Sequence, residues 1–328
     1  MTTQIRVGIV GYGNLGRGVE TAIGLSPDMS LTGVFTRRDP ASVTTVGTAT
    51  EVFAIDELDR DRDDIDVLIL CGGSRSDLPE QSPALAARFS IVDSYDNHAH
   101  IPEHFAAVDA AARPAGTTAV ISTGWDPGLF SLNRVFSEAI IPQGATYTFW
   151  GRGLSQGHSD ALRRVPGVAG GVQYTLPSEA AMERVRAGEH PDLSTRERHT
   201  RECFVVLEEG ADAETVRAEI VSMPDYFEPY DTTVHFISAQ ELERDHQGMP
   251  HGGFVIRSGT TSPGTQQVIE YQLALESNPE FTASVLVAYA RAAARMNRAG
   301  VVGAQTVYDV APGLLSPLSP EQLRADYL

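Results

Sequence analysis

Residues 5–10 read IRVGIV, and the chain then runs through Gly11-Tyr12-Gly13-Asn14-Leu15-Gly16 into the spacing of Val19, Ala22 and Ile23. A short β-branched run, three glycines at these offsets and a helical period leave little choice of local structure. They predict a buried parallel strand, a tight turn and a helix. Gly11 permits the turn, Gly13 lets backbone approach a phosphate, and Gly16 lets the helix pack close to the strand. The free N–H groups and dipole of the helix then suit a pyrophosphate. Gly11, Tyr12, Gly13, Asn14, Leu15 and Gly16 are therefore candidate dinucleotide-binding residues, the alternative being a plain glycine turn.

Leu31–Phe35, Asp66–Cys71, Phe89–Asp93 and Thr118–Ser122 read as four further strands, separated by helical or loop segments. Strands alternating with helices imply βαβ units, hence an α/β fold with a Rossmann-type doubly wound parallel sheet. After about Trp125 the texture changes to strand-like runs at Thr146–Trp150, Gln173–Leu176, Glu202–Leu207, Thr232–Ile237, Gly253–Arg257 and Gln267–Leu275. With fewer helices between them, these predict a second α+β domain built on a mixed or antiparallel sheet. Phe281–Ala299 reads as a helix, and the proline-rich Pro312–Leu328 as an extended tail.

The second strand ends in Thr36-Arg37-Arg38, where an enzyme using NAD usually carries an acidic residue for the ribose hydroxyls. Two guanidiniums and a hydroxyl match a dianionic 2′-phosphate, so the expected cofactor is NADP. The alternative is two solvated surface arginines. The formal net charge is −18, which disfavours nucleic acid as a partner. All 25 basic residues are arginine. Without lysine there is no Schiff base to pyridoxal phosphate, no Walker-type phosphate lysine and no lysine general base. No apolar run approaches a membrane span and none resembles a signal peptide. With only two cysteines and no disulfide framework, a cytoplasmic location is expected.

Other candidate residues fall at predicted strand ends. Cys71 ends the third strand and Gly72 and Ser74 come directly after it, at the cofactor crevice, with no individual role assigned. Cys71 reads as a core residue or, alternatively, as a nucleophile of the semialdehyde dehydrogenase kind. His98, His100 and His104 form H-x-H-x-x-x-H, but no further ligand set accompanies them and no metal is expected. Asp96 lies just past the fourth strand, at the carboxyl edge where such folds bind ligands, or else is a turn or cap residue. Ser122–Gly128, Trp150–Ser159 and His246–Gly253 add aromatic and polar loops that together suggest one polar pocket.

The strings VGIVGYGNLGRGVE, DSYDNH, STGWDPGLFSLNRV, FWGRGLSQGHSDALRRVPGV, QYTLPSE, MPDYF and GMPHGG closely resemble the meso-diaminopimelate dehydrogenase family, over nearly the whole chain. The resemblance implies a homodimer that oxidatively deaminates the D-centre of meso-2,6-diaminopimelate with NADP. It places Asp96, Trp125, Asp126, Trp150, Gln156 and Gly157 around the reacting centre, and either aspartate is a candidate proton acceptor. Thr175, Arg201, His251 and Asn278 are placed on the rest of the substrate, with Arg198 competing with Arg201 for a carboxylate. Thr36, Arg37 and Arg38 match the 2′-phosphate site. A cofactor domain of residues 1–125 plus about 281–328 is expected, with 126–280 as the substrate and dimerisation domain. Rival readings are another NADP-dependent dehydrogenase, for a simple D-amino acid or a semialdehyde, and a non-catalytic NADP-sensing protein.

Overall fold

In a computed structural model, which describes residues 4–58 and 64–328, the chain divides into two units. One comprises Met1–Leu132 and Pro279–Leu328, the other Asn133–Asn278. The first unit carries β1 (Ile5–Val10), β2 (Met29–Thr36), β3 (Val52–Ala54), β4 (Val67–Leu70), β5 (Ile91–Asp93), β6 (Thr118–Val120) and a C-terminal strand, Gly303–Gln305. They form one parallel sheet, in the order C-terminal strand, β6, β5, β4, β1, β2, β3. The order reverses between β1 and β4, and ligands bind at the carboxyl ends of strands on either side of such a switch point.

Helices cover both faces, which is why the strands read as continuous apolar runs. One core gathers Val7, Ile9, Val19, Ile69 and Leu286; the other gathers Phe35, Leu68, Leu70 and Val108. The helix Asn278–Arg298 supplies Ala283, Leu286, Ala290 and Ala293 to the first core. A Cβ on Gly18 would lie 2.9 Å from that of Ala283, so only glycine lets the first helix, Asn14–Gly24, approach it this closely. Strands β3 and Gly303–Gln305 escaped the sequence reading because each has three residues and no alternation to detect.

The second unit holds β7 (Gln143–Trp150), β8 (Gly153–Leu154), β9 (Val168–Pro177), β10 (His199–Leu207), β11 (Asp231–Phe236), β12 (His251–Ser262) and β13 (Thr265–Leu275). These make two sheets: a mixed one, β11-β10-β9-β8, and an antiparallel one, β13-β12-β7. Short helices over Gln156–Leu162, Glu179–Arg186, Thr195–Arg198, Ala213–Val221 and Ala239–Asp245 intervene. Each starts at a serine or aspartate whose side chain accepts a backbone N–H: Ser155, Ser178, Ser194, Asp212 and Ser238. These caps, rather than apolar period, specify the helices.

The C-terminal segment corrects the expected extended tail. Pro312–Leu314 forms a 3₁₀ turn and Pro320–Tyr327 a helix. Ser319 and Gln322 make a capping box and Pro320 occupies the first turn, an N-terminal signature stronger than the count of prolines. Arg291 and Arg295 hold the segment by donating to the carbonyls of Leu314, Leu315 and Ser316.

Arg291 also forms a two-pronged pair with Asp28, at 2.8 and 2.9 Å, and Arg295 adds a contact at 3.3 Å. Burial alone would raise the Asp28 pKa, but the Arg291 hydrogen bond and charge hold it below the ordinary carboxylate value. A depressed carboxylate stabilises fully above its unfolded pKa, about 4, and loses that contribution as pH falls through the folded value. Arg291→Met is therefore expected to cost about 2 kcal/mol at pH 7, with the gap to the parent closing below about pH 4. Urea unfolding at both pH values measures this; an unchanged gap would assign the loss to packing instead.

Candidate active site

Each glycine of the turn after β1 has its own physical reason. Gly11 has φ +88°, the left-handed region that favours glycine. A Cβ on Gly16 would lie 2.5 Å from the Gly11 carbonyl oxygen, so any side chain there would push the helix off the turn. A Cβ on Gly13 would meet nothing within 4 Å. The protein does not need glycine at Gly13 for its own packing; the missing side chain leaves room in front of the helix N-terminus. No side chain caps that end of Asn14–Gly24, so its N–H groups suit a dinucleotide pyrophosphate. Tyr12 commits its hydroxyl inward to Glu20, which also accepts from Thr50, Val46 and Gly47. Burial and the Glu20 carboxylate push the phenol pKa up to about 12.

Thr36 closes β2 with its hydroxyl accepting the Arg38 N–H at 3.1 Å. Arg38 reaches the Tyr12 carbonyl, and Arg37 pairs with Asp77 at 2.6 Å while two-thirds of its side chain stays in solvent. Asp77 also accepts the Gly73 N–H at 2.7 Å, which is the main reason its pKa is lowered; Arg37 adds to it. The arginines thus flank the glycine turn, and Asp77 is a partner the sequence reading did not identify.

Beyond β4, a Cβ on Gly72 would lie 2.8 Å from that of Asp77, so glycine is needed there for space. Burial pushes the Cys71 thiol pKa far up. A nucleophilic cysteine needs the opposite shift, so the geometry favours the core reading of Cys71. Ser74 and Asp96 come together across the sheet edge: the hydroxyl donates to Asp96 Oδ1 at 2.5 Å and accepts the Asp96 N–H at 2.9 Å. Trp125 is buried edge-on against Phe130, and Asp126 beside it is half-buried. His104 turns away from His98 and His100 to bond Asp93 at 2.8 Å, while the other two are exposed. Among the described residues no cluster of three or more His, Cys, Asp or Glu is placed to hold a metal ion.

In the second unit, strand register does the positioning. Thr175 stands opposite Gly153 on one side and Arg201 on the other, with Thr232 beyond Arg201. Arg201 is 6% exposed, donates to the Thr175 hydroxyl and lies over the Tyr230 ring, 3.8 Å from its centroid. Its Nε is buried without a partner, and none of the acidic groups described lies within ion-pair distance of it. Burial pulls its pKa below the ordinary value. His158 and His199 have pKa values lowered to about 4, by burial first and by the Arg201 charge second, so both are neutral at pH 7. A buried guanidinium among neutral groups is a receptor for an anion, and its fork selects a carboxylate. Arg198, in contrast, is half-buried and donates to the Leu193 carbonyl.

The Trp150 N–H donates to His199 Nε2 at 2.8 Å, and the two rings stack at 5.4 Å. Gln156 and Gly157 are exposed, the Gln156 amide 3.3 Å from Met249 Sδ. The His251 ring covers Gly153, where a Cβ would lie 2.5 Å from its Nδ1. A cavity of ≈ 590 Å³ opens beside it, lined also by Gly151, Arg152, Pro177, Phe254 and Glu276. Half-buried Asn278 donates its N–H to the Met249 carbonyl. Tyr230 and His199 were missed as site residues. Only the pairing of β9, β10 and β11 brings them to Arg201 and Trp150, and single-residue spacing carries no such signal.

Comparison with known proteins gives consistent matches. Residues 124–277 match the family described as diaminopimelic acid dehydrogenase C-terminal domain. The chain is 63% identical, over 99% of its own length and 100% of the relative's, to meso-diaminopimelate D-dehydrogenase of Lysinibacillus sphaericus. Among solved structures it is similar to the C. glutamicum DAP dehydrogenase in complex with DAP, with 51% identity, full coverage of both chains and a TM-score of 0.89. It is also similar to an engineered D-amino acid dehydrogenase bound to NADP+, with 50% identity, 99% and 100% coverage and a TM-score of 0.83.

The glycine geometry separates binding from folding. Gly13→Ala is expected to leave the melting temperature within about 2 °C, because the added methyl meets no protein atom, yet to weaken NADPH binding at least about tenfold. Gly16→Ala is expected to lose both, by about 1–3 kcal/mol of stability from overpacking. Thermal melts and NADPH fluorescence titrations check the contrast.

Proposed function

Because the chain belongs to the meso-diaminopimelate D-dehydrogenase family, we infer that it catalyses the reversible NADP-dependent oxidative deamination of meso-2,6-diaminopimelate at its D-centre. Meso-diaminopimelate, water and NADP+ give L-2-amino-6-oxopimelate, ammonium, NADPH and one proton; the product cyclises to tetrahydrodipicolinate, a precursor of lysine and cell wall. The observation that carries the reading is Arg201, a buried guanidinium with no acidic partner in reach, bonded to Thr175 and backed by Tyr230. A substrate with a second amino-acid head brings the carboxylate that such a group lacks.

NADP+ supplies the hydride acceptor, and the glycine turn with Thr36, Arg37 and Arg38 would hold it. The residues of this chain do the rest. Hydride leaves a carbon only when its amine carries a free lone pair, so an ammonium must first give up a proton. Asp96 or Asp126 takes it, and the other, still a carboxylate, then balances the cationic imine. Ser74 orients Asp96 through two hydrogen bonds. Trp125, Trp150, Gln156 and Gly157 shape the reacting end. Arg201, Thr175, His251 and Asn278 hold the remainder, and this remote contact sets the position of the reacting carbon.

Homodimerisation fits the exposed apolar residues Val135, Phe136 and Ile140 on the helix Leu129–Ile140. No helix among the described residues is long and apolar enough to cross a membrane; a cytoplasmic site of action is part of the same reading.

Three experiments test the function. NADP reduction is expected with meso-diaminopimelate and not with its LL isomer, which has no D-centre. Arg201→Met should cut kcat/KM on the meso substrate at least about 100-fold, roughly 3 kcal/mol for a lost ion pair. It should spare residual activity on short D-amino acids. Equal loss on both would reduce Arg201 to a folding role, and no loss on either would point to Arg198. Separately, Asp96→Asn and Asp126→Asn should each lower kcat/KM by about 10²- to 10⁴-fold while NADPH still binds. Wild-type turnover in both would displace the reacting centre from this sheet edge.

A further inference from the structure

Asp93 ends β5 and is fully buried, yet it lies in the same row of strand ends as the candidate catalytic carboxylates. Its Oδ1 accepts the N–H groups of Tyr95 at 3.1 Å and Ser122 at 2.9 Å. Its Oδ2 accepts the Ser82 hydroxyl at 2.6 Å and faces His104 Nε2 at 2.8 Å. Four donors occupy the four acceptor positions of a carboxylate. Its backbone carbonyl accepts the Thr123 N–H at 2.9 Å. His104 is itself buried and stacks on Tyr95, with ring centroids 4.0 Å apart.

The two N–H groups on Oδ1 belong to different loops. Tyr95 immediately precedes Asp96, and Ser122 begins the loop that carries Trp125 and Asp126. Ser122 has φ +54°, a left-handed conformation that a serine adopts only under constraint. Its own hydroxyl is buried without a partner, so the side chain does not hold the residue in place. Its backbone N–H is the group that is bonded, to the Asp93 carboxylate.

We propose that Asp93, clamped by Ser82 and His104, is a positioning residue for the reaction: it holds Ser122 in its left-handed conformation and so sets Asp96 and Asp126 in register. This rests on the reading of those two aspartates as the proton-handling pair. Neither Asp93 nor His104 exchanges a proton with substrate. The carboxylate acts through two backbone amides, and a small misplacement of a reacting group is enough to cost most of the turnover.

The test is a kcat against KM comparison with a built-in rescue. Asp93→Ala is expected to lower kcat for meso-diaminopimelate by about 30-fold while KM for NADP changes less than about threefold. Asp93→Asn keeps one oxygen for the two amides and turns its NH₂ to Ser82 and His104, both able to accept, so it recovers most of the kcat. Glycine adopts positive φ without strain, so Ser122→Gly added to Asp93→Ala should restore at least about a third of the lost kcat. A merely structural Asp93 would not be rescued from Ser122.

Wild-type kcat in Asp93→Ala, or no recovery in the double variant, overturns the proposal. Should Asp93→Ala fail to fold, Ser122→Val decides: a β-branched residue resists the left-handed conformation, and undiminished kcat there overturns the proposal equally. If Asp96→Asn and Asp126→Asn both keep full turnover, the reading beneath the proposal fails. If they lose turnover and the Asp93 variants do not, only the proposal fails.

Discussion

Between Gly11 and Gly16 the backbone passes so close to itself that no side chain fits, with 2.5 Å separating a Gly16 Cβ from the Gly11 carbonyl oxygen. This steric constraint sets the angle at which the first helix leaves β1. The helix then presents its uncapped N-terminus at the switch point, while its other face meets the returning helix through Gly18 and Ala283. The remaining parts of the cofactor unit are disposed around that crossing. Arg37 and Arg38 flank the turn from the end of β2, and the Cys71 carbonyl lies 3.4 Å from the position of a Gly11 Cβ. The room in front of Gly13 follows from the same crossing.

A chain with a formal charge of −18 attracts an anionic cofactor and a dicarboxylate only where it concentrates its cations. It does so with arginine alone. Arg37 and Arg38 remain near solvent, where salt screens them, whereas Arg201 is buried, unscreened and short of an acidic partner. Burying an unpaired guanidinium costs stability, and two neighbouring histidines stay neutral rather than add to the positive field. The protein retains a destabilised charge where a ligand carboxylate would neutralise it, the usual signature of a site selected for binding rather than for stability.

At the reacting end the arrangement is different. Asp93 has all four acceptor positions filled and lies out of solvent, while Asp96 is exposed and bonded to a single hydroxyl. Similar carboxylates three residues apart thus acquire different work through their environments. One is part of the scaffold, and the other is open to solvent, as the proposed proton-handling role requires.

Much of this was legible in the residues themselves. The period of IRVGIV, the glycine offsets and Thr36-Arg37-Arg38 identified the parallel sheet and the cofactor because they are local: strand, turn and helix N-terminus lie within a few residues, and backbone sterics act at that range. Ser-capped short helices obey the same local rules, but they carry no apolar period to mark them. Tertiary structure alone decided the rest. It turned His104 from a possible metal ligand into the partner of Asp93, split the second unit into two sheets, and buried Arg201 opposite Thr175 while leaving Arg198 half-buried. Those outcomes depend on strand register and on burial, which bring together residues tens of positions apart, and no local spacing encodes which of two neighbouring arginines will face inward.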